Sequence, residues 1–215
     1  MIKKALNVYF IAGSQNAENG DLLSVLEEAL EAGITMFQFR EKGPNSLEDN
    51  PIEKRKLAIQ CQALCQKYKV PFIINDDVEL AISIEADGIH VGQDDEPIEE
   101  VLRRVSPDTI IGLSTSNAQE IADAESLEGI DYVGLGPVFT TESKEDTEPE
   151  LGIEGLKEII GAGRKIPIVA IGGITIKNAS SVREAGVDGV SVISAITKSQ
   201  NIKQAVDRLK GNLFE

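Results

Sequence analysis

Short apolar runs alternate with longer amphipathic segments from one end of the chain to the other, a pattern that predicts a parallel sheet whose strands are joined by helices. The runs predict strands from Val8 to Ala12, Met36 to Arg40, Phe72 to Asn75, Gly88 to Val91, Ile110 to Ser114, Tyr132 to Leu135, Ile168 to Ile171 and Gly189 to Ile193. Between them the apolar positions fall at helical spacing. Leu22, Leu26, Ala29 and Leu30 stripe a helix expected over Asp21 to Ala32, a short helix is expected from about Val78 to Glu85, and Ile202, Val206 and Leu209 stripe the last, expected over Ile202 to Leu213. The segments AGITMFQF, ADGIHVG, GIDYVGLG and AGVDGVSVI form a weak internal repeat in which Gly or Asp-Gly at a helix end launches a strand. Eight such strand-helix units close most naturally into an α/β fold of one domain over residues 1–215, a (β/α)8 TIM barrel with its site at the C-terminal ends of the strands. A doubly wound open sheet is the alternative, distinguished only by the count of units.

Composition narrows the class of function. With 215 residues and 41% hydrophobic content the chain supports one sizeable core. No apolar run approaches the length of a bilayer crossing, and Met1 to Ala12 lacks the pattern of a signal peptide, so a cytoplasmic protein with no membrane partner is expected. A net charge of -15 argues against nucleic acid as a partner, because that binding needs a basic surface. Small phosphorylated molecules can still bind, provided that cations are placed locally; a homo-oligomer is compatible with the sequence. Cys61 and Cys65 share a helical stripe with Leu57, Leu64 and Tyr68 and are expected to be core thiols, since a metal or redox site would want a CxxC pair and more than the single His of this chain.

The acidic residues concentrate in the stretch from Pro71 to Pro97, where Asp76 and Asp77 follow one strand and Asp94 and Asp95 the next. Parallel strands bring both pairs to the same C-terminal edge, where ligands bind in sheets of this class. Such carboxylates either hold Mg2+ against an anionic substrate or serve as helix N-caps and solvated loop charges, and their pattern leaves both readings open. On the second strand Gln38, Arg40 and Lys42 alternate with Phe37 and Phe39. That parity points the polar row into the barrel and along its mouth, where it supplies the donors and positive charge that a diphosphate needs. Ile110, Gly112 and Ser114 share a face, as do Tyr132, Gly134 and Gly136, and the glycines are expected to leave room for a ligand. The polar connection PVFTTESKEDTEPEL that follows is long enough for a lid or binding loop, with Lys144 either closing over an anion or solvated. Gly172-Gly173 and Ile193-Ser194-Ala195 end the last two strands, whose loops form the usual phosphate site of such barrels. His90, alone among apolar strand residues, is expected to be a satisfied interior polar group rather than a proton-transfer residue.

Six segments, QFREK (Gln38 to Lys42), FIINDDVELA (Phe72 to Ala81), GIHVGQDD (Gly88 to Asp95), YVGLGPVFTTESK (Tyr132 to Lys144), VAIGGIT (Val169 to Thr175) and VSVISAI (Val190 to Ile196), resemble the thiamine-phosphate synthase family in order and over nearly the whole chain. The resemblance implies a Mg2+-assisted transferase that joins hydroxymethylpyrimidine diphosphate to thiazole phosphate, releasing diphosphate. It implies a pyrimidine diphosphate site of Gln38, Phe39, Arg40, Glu41, Lys42, Asn75, Ser114 and Lys144, with Arg40, Lys42, Ser114 and Lys144 acting in catalysis. It further implies Asp76 and Asp95 as metal ligands, and Thr141, Glu142, Ser143, Gly173, Ile193 and Ser194 at the thiazole phosphate. Two positions depart from the family pattern: Ser116 stands where many relatives carry His, and Ser143 replaces a loop Thr. The rival expectations are an isomerase resembling the thiazole tautomerase, which needs neither metal nor diphosphate, and a non-catalytic thiamine phosphate-binding protein.

Overall fold

Alternating side chains on a strand face opposite ways, so an apolar run buried on both faces must sit between two apolar layers, and here it does. The computed structural model describes residues 2–17, 21–141, 149–161 and 163–211. Its strands β1 (Val8–Ala12), β2 (Met36–Phe39), β3 (Phe72–Asn75), β4 (Gly88–Val91), β5 (Ile110–Thr115), β6 (Tyr132–Leu135), β7 (Ile168–Ala170) and β8 (Gly189–Val192) are parallel and pair in chain order, with β8 returning to β1 through Val8 and Val190. The sheet is therefore a closed barrel, not the open alternative. β1, β3, β4 and β6 have the expected bounds; β2, β5, β7 and β8 end one residue away from them. At β2 and β7 the ladder still reaches the expected residue, since Arg40 N donates to Ala12 O at 3.0 Å and Ile171 N to Leu135 O at 3.0 Å.

The helices are α1 (Ile2–Ala5), α2 (Leu22–Ala32), α3 (Pro51–Tyr68), α4 (Val78–Ser83), α5 (Ile98–Arg104), α6 (Ala118–Ser126), α7 (Gly152–Gly161), α8 (Ala179–Glu184), α9 (Ser194–Thr197) and α10 (Ile202–Leu209). α4 stops short of the expected Glu85, which adopts a left-handed φ of 52°; α10 ends at Leu209, two residues before Gly211 at φ 79°, and the expected end at Leu213 lies outside the described residues. Among the described residues no helix is long and apolar enough to cross a membrane.

Two apolar layers result. Tyr9, Ile11, Met36, Ile73, Tyr132, Val169 and Ile193 fill the barrel, with Leu6 packed among them. Phe10, Phe37, Phe39 and Phe72 point outward against the helices, Phe10 and Phe37 with ring centroids 5.4 Å apart. Cys61 and Cys65 are free thiols in this outer layer, as expected, and burial pushes Cys65 up to about 12 and Cys61 well above its usual range.

The internal repeat has a physical content at the base of the barrel. Thr35 Oγ1 accepts from Val8 N at 2.8 Å, Asp87 Oδ2 from Phe72 N at 2.8 Å, Asp131 Oδ2 from Ile111 N at 2.8 Å and Asp188 Oδ2 from Ile168 N at 2.9 Å. Each of these residues immediately precedes an even-numbered strand and satisfies a backbone donor near the start of the odd strand before it.

Candidate functional site

β3 and β4 end side by side, Asn75 opposite His90, and the chain leaves each on an acidic pair. Asp76 adopts a left-handed φ of 60°, which Asp tolerates better than most side chains. Its amide donates to His90 O at 2.9 Å, while Asp77 N closes on Asn75 O at 2.7 Å. This turn sends the two carboxylates apart. Asp77 caps α4 through Leu80 N at 2.9 Å and pairs with Lys54 at 2.6 Å. Asp94 is exposed, whereas Asp95 accepts from Gly92 N at 2.9 Å. Lys42 Nζ lies 2.7 Å from Asp76 and 3.4 Å from Asp95. The N-cap reading thus holds for Asp77, and Asp76 and Asp95 form a separate pair around a lysine.

The charges of that trio are mutually tuned. Burial, reinforced by neighbouring Asp95, pushes the Asp76 carboxyl up against the pull of Lys42. For Asp95 burial is outweighed by hydrogen bonds from Asp76 and the Gly92 amide and by the charge of Lys42, and its carboxyl is held down. Burial likewise works against the Lys42 ammonium, but Asp76 and Asp95 hold it protonated beyond its ordinary range. Among the described residues no group of three or more His, Cys, Asp or Glu is placed to hold a metal ion. Two carboxylate oxygens nevertheless suit Mg2+, which takes one or two carboxylates and completes its shell with water and substrate phosphate. The donor set fits that ion with the substrate supplying the remainder.

Behind the pair, Arg40 is half-buried, and its carbonyl accepts from Gln15 Nε2 at 2.9 Å. Glu41 is buried; its carboxylate accepts from Ser14 N at 2.6 Å, Ser14 Oγ at 2.8 Å and Leu47 N at 2.7 Å. It braces the loop that carries Arg40 and Lys42. Phe39 has its side chain in the outer layer, its ring 6.4 Å from that of Phe72.

Within the barrel a row of polar groups crosses from Gln38 to Ser114. Gln38 Nε2 donates to Tyr9 OH at 2.7 Å, Tyr9 OH meets Tyr132 OH at 2.8 Å, Tyr132 OH meets His90 Nδ1 at 3.1 Å, and His90 Nε2 meets Ser114 Oγ at 3.0 Å. His90 is therefore the satisfied interior group expected of it. The glycines need a correction: a Cβ on Gly112 would lie 2.3 Å from Tyr132 Cζ and 2.4 Å from His90 Nδ1, and one on Gly136 would lie 2.1 Å from Ile171 O. The room at Gly112 is taken by the protein's own side chains, and that at Gly136 by neighbouring backbone, rather than by a ligand. Alternation placed Tyr132 on the inner face, but its bond to Tyr9 spans 123 residues and carries no local signal.

Across the mouth, a cleft collects Thr141, Gly173, Ile193 and Ser194 with Pro137, Ile171 and Ser191. Gly172 and Gly173 turn with φ of 98° and 61°, and a Cβ on Gly173 would lie 2.5 Å from Thr140 O, so the turn needs glycine on both counts. Thr140 N and Oγ1 both donate to Glu150 at 2.9 and 3.1 Å. Glu142, Ser143 and Lys144, placed in the site by the resemblance, lie outside the described residues. Ser116 is tied by its amide and hydroxyl to Glu120, the amide at 2.7 Å.

Residues 8–196 match the family described as thiamine monophosphate synthase. A thiamine-phosphate synthase from Listeria welshimeri is 54% identical over 97% of this chain and 100% of its own length, and one from Actinobacillus succinogenes is 50% identical over 97% of each chain. The solved structure of a thiamine phosphate pyrophosphorylase from Pyrococcus furiosus superposes with a TM-score of 0.82 at 32% identity, covering 99% of this chain and 97% of that one.

Proposed function

Because the chain belongs to the thiamine monophosphate synthase family, we propose that it joins hydroxymethylpyrimidine diphosphate to thiazole phosphate, yielding thiamine phosphate and diphosphate. The observation that carries the reading is Lys42 set between Asp76 and Asp95 on the β2 to β4 side of the mouth, with a glycine-turned cleft at β7 and β8. One side suits a diphosphate, the other a single phosphate.

In this reading the bond between the pyrimidine methylene carbon and the diphosphate oxygen breaks, and the electron pair leaves with the diphosphate. Arg40, Lys42 and Lys144 neutralise the departing charge in a site where preplaced cations are worth more than in water. Asp76 and Asp95 would hold Mg2+, which when bound supplies further positive charge to the diphosphate oxygens. Asn75 and Ser114 orient the pyrimidine, whose amino group delocalises the cation left on the methylene. The thiazole phosphate, seated by Thr141, Glu142, Ser143, Gly173, Ile193 and Ser194, then attacks with the lone pair of its ring nitrogen. No general base is needed, which agrees with a His90 committed to internal hydrogen bonds.

Calorimetric titration with hydroxymethylpyrimidine diphosphate tests the reading. Binding that appears with Mg2+ and disappears with EDTA is expected. Binding indifferent to the metal, or none at all, would contradict it and favour an isomerase or a thiamine phosphate-binding protein.

A further inference from the structure

Five polar side chains are linked in a row inside the barrel, where apolar ones would pack without needing partners: Gln38, Tyr9, Tyr132 and His90 are 1%, 1%, 0% and 7% exposed, and Ser114 is half-buried at the mouth. A buried network of this kind fixes geometry when every member is satisfied. The glycine at 112 is shaped to it, since a Cβ there would lie 2.4 Å from both His90 Nδ1 and Tyr132 OH, crowding the bond that joins them.

The chain of bonds has a direction. An amide N–H only donates, so Tyr9 accepts from Gln38 Nε2, and the single hydroxyl proton of Tyr9 goes to Tyr132. Tyr132 then gives its proton to His90 Nδ1, which must be the lone-pair nitrogen. The imidazole proton therefore sits on Nε2 and is donated to Ser114 Oγ. Ser114, having accepted, keeps its own proton for the mouth of the barrel, while Gln38 keeps its Oε1. Burial pushes both phenols up, so they remain protonated and able to relay the order.

We propose that Tyr9, Tyr132 and His90 are positioning residues that impose a hydrogen-bond polarity on the site, so that Gln38 offers an acceptor and Ser114 a donor to the edge of the bound pyrimidine. The proposal rests on the pyrimidine diphosphate reading above. An aminopyrimidine presents the complementary pair on adjacent atoms, an amino N–H and a ring nitrogen lone pair. An edge with the opposite order, a carbonyl beside a ring N–H, meets acceptor against acceptor and donor against donor. The network thus selects the amino form over its hydrolysed oxo analogue, a discrimination that hydrogen-bonding sites achieve far better than apolar ones.

The chain has one His, so protein labelled with 15N-histidine gives a single imidazole in NMR spectra. In the ligand-free wild type the proton is expected on Nε2, with Nδ1 accepting. Tyr132→Phe should shift the Nδ1 resonance, because that nitrogen loses its donor. It should also raise KM for the pyrimidine diphosphate about tenfold, leaving KM for thiazole phosphate unchanged and kcat within about twofold. Tyr9→Phe, which breaks the chain one bond earlier, should act in the same direction. A proton on Nδ1 in the wild type would overturn the polarity, and an unmoved Nδ1 resonance with unmoved KM in Tyr132→Phe would overturn the positioning role. Absence of wild-type turnover would sink the functional reading instead, and the ligand-free tautomer, which needs neither substrate nor a variant, would still decide the direction of the chain.

Discussion

Asp76 and Asp77 are adjacent carboxylates separated in role by one left-handed residue, Asp77 spent on the amide of Leu80 and on Lys54, Asp76 turned toward Lys42 and Asp95. Asp76→Asn should lower turnover at least about a hundredfold, the scale of losing one preorganised charge contact, while thiazole phosphate affinity stays within about twofold. Steady-state kinetics and direct titration read the two separately, and asparagine accepts the left-handed backbone, so the change is one of charge. The thiols make an independent prediction. Because burial raises both, alkylating reagents should reach Cys61 and Cys65 at neutral pH only when the protein unfolds. The folded state keeps these protons longer than the unfolded one, so the contribution is constant in acid and is lost as pH climbs past the ordinary thiol value towards about 12 for Cys65. At this scale the sequence revealed inward parity for Gln38 and Ser114, because alternation is local. It misled at Gly112, because what fills that space comes from other strands.

At the scale of elements, the eight strands were legible because a run buried on both sides reads as continuous hydrophobicity, and the helices because of their stripes. The repeat was visible as well, but its reason was not: Thr35, Asp87, Asp131 and Asp188 each cap a strand 15 to 27 residues away in sequence. Asp131→Ala leaves Ile111 N without that partner and should lower unfolding stability by about 1–3 kcal/mol in denaturant titrations, with kinetic constants of the folded enzyme unchanged. Asp188 carries a pH signature. Burial opposes its charge, but Arg164 at 2.8 Å, Ile168 N at 2.9 Å and Lys3 at 3.1 Å hold its carboxyl below the usual range. Its folded value is the lower one, so the stabilisation is full above about pH 4, the unfolded carboxyl value, and is lost as pH falls through the folded value. Unfolding curves of wild type and Asp188→Asn should therefore converge in acid, and a constant gap down to strongly acidic pH would contradict the assignment.

The whole molecule carries a net charge of -15, so the proposed phosphorylated substrates require cations placed locally at the mouth of the barrel. Closure of the sheet places the ends of β2, β3 and β4, with Lys42 between Asp76 and Asp95, on one side of that mouth and the ends of β7 and β8 on another. The sequence foretold the closure from its count of units, but not the trio geometry of Lys42, Asp76 and Asp95, which depends on loops meeting from three strands. The most direct test is release of diphosphate from purified protein mixed with hydroxymethylpyrimidine diphosphate, thiazole phosphate and Mg2+, each omitted in turn. Release that requires both substrates and stops with EDTA is the predicted result; no release from the complete mixture would contradict the synthase reading and return Asp76 and Asp95 to a structural role.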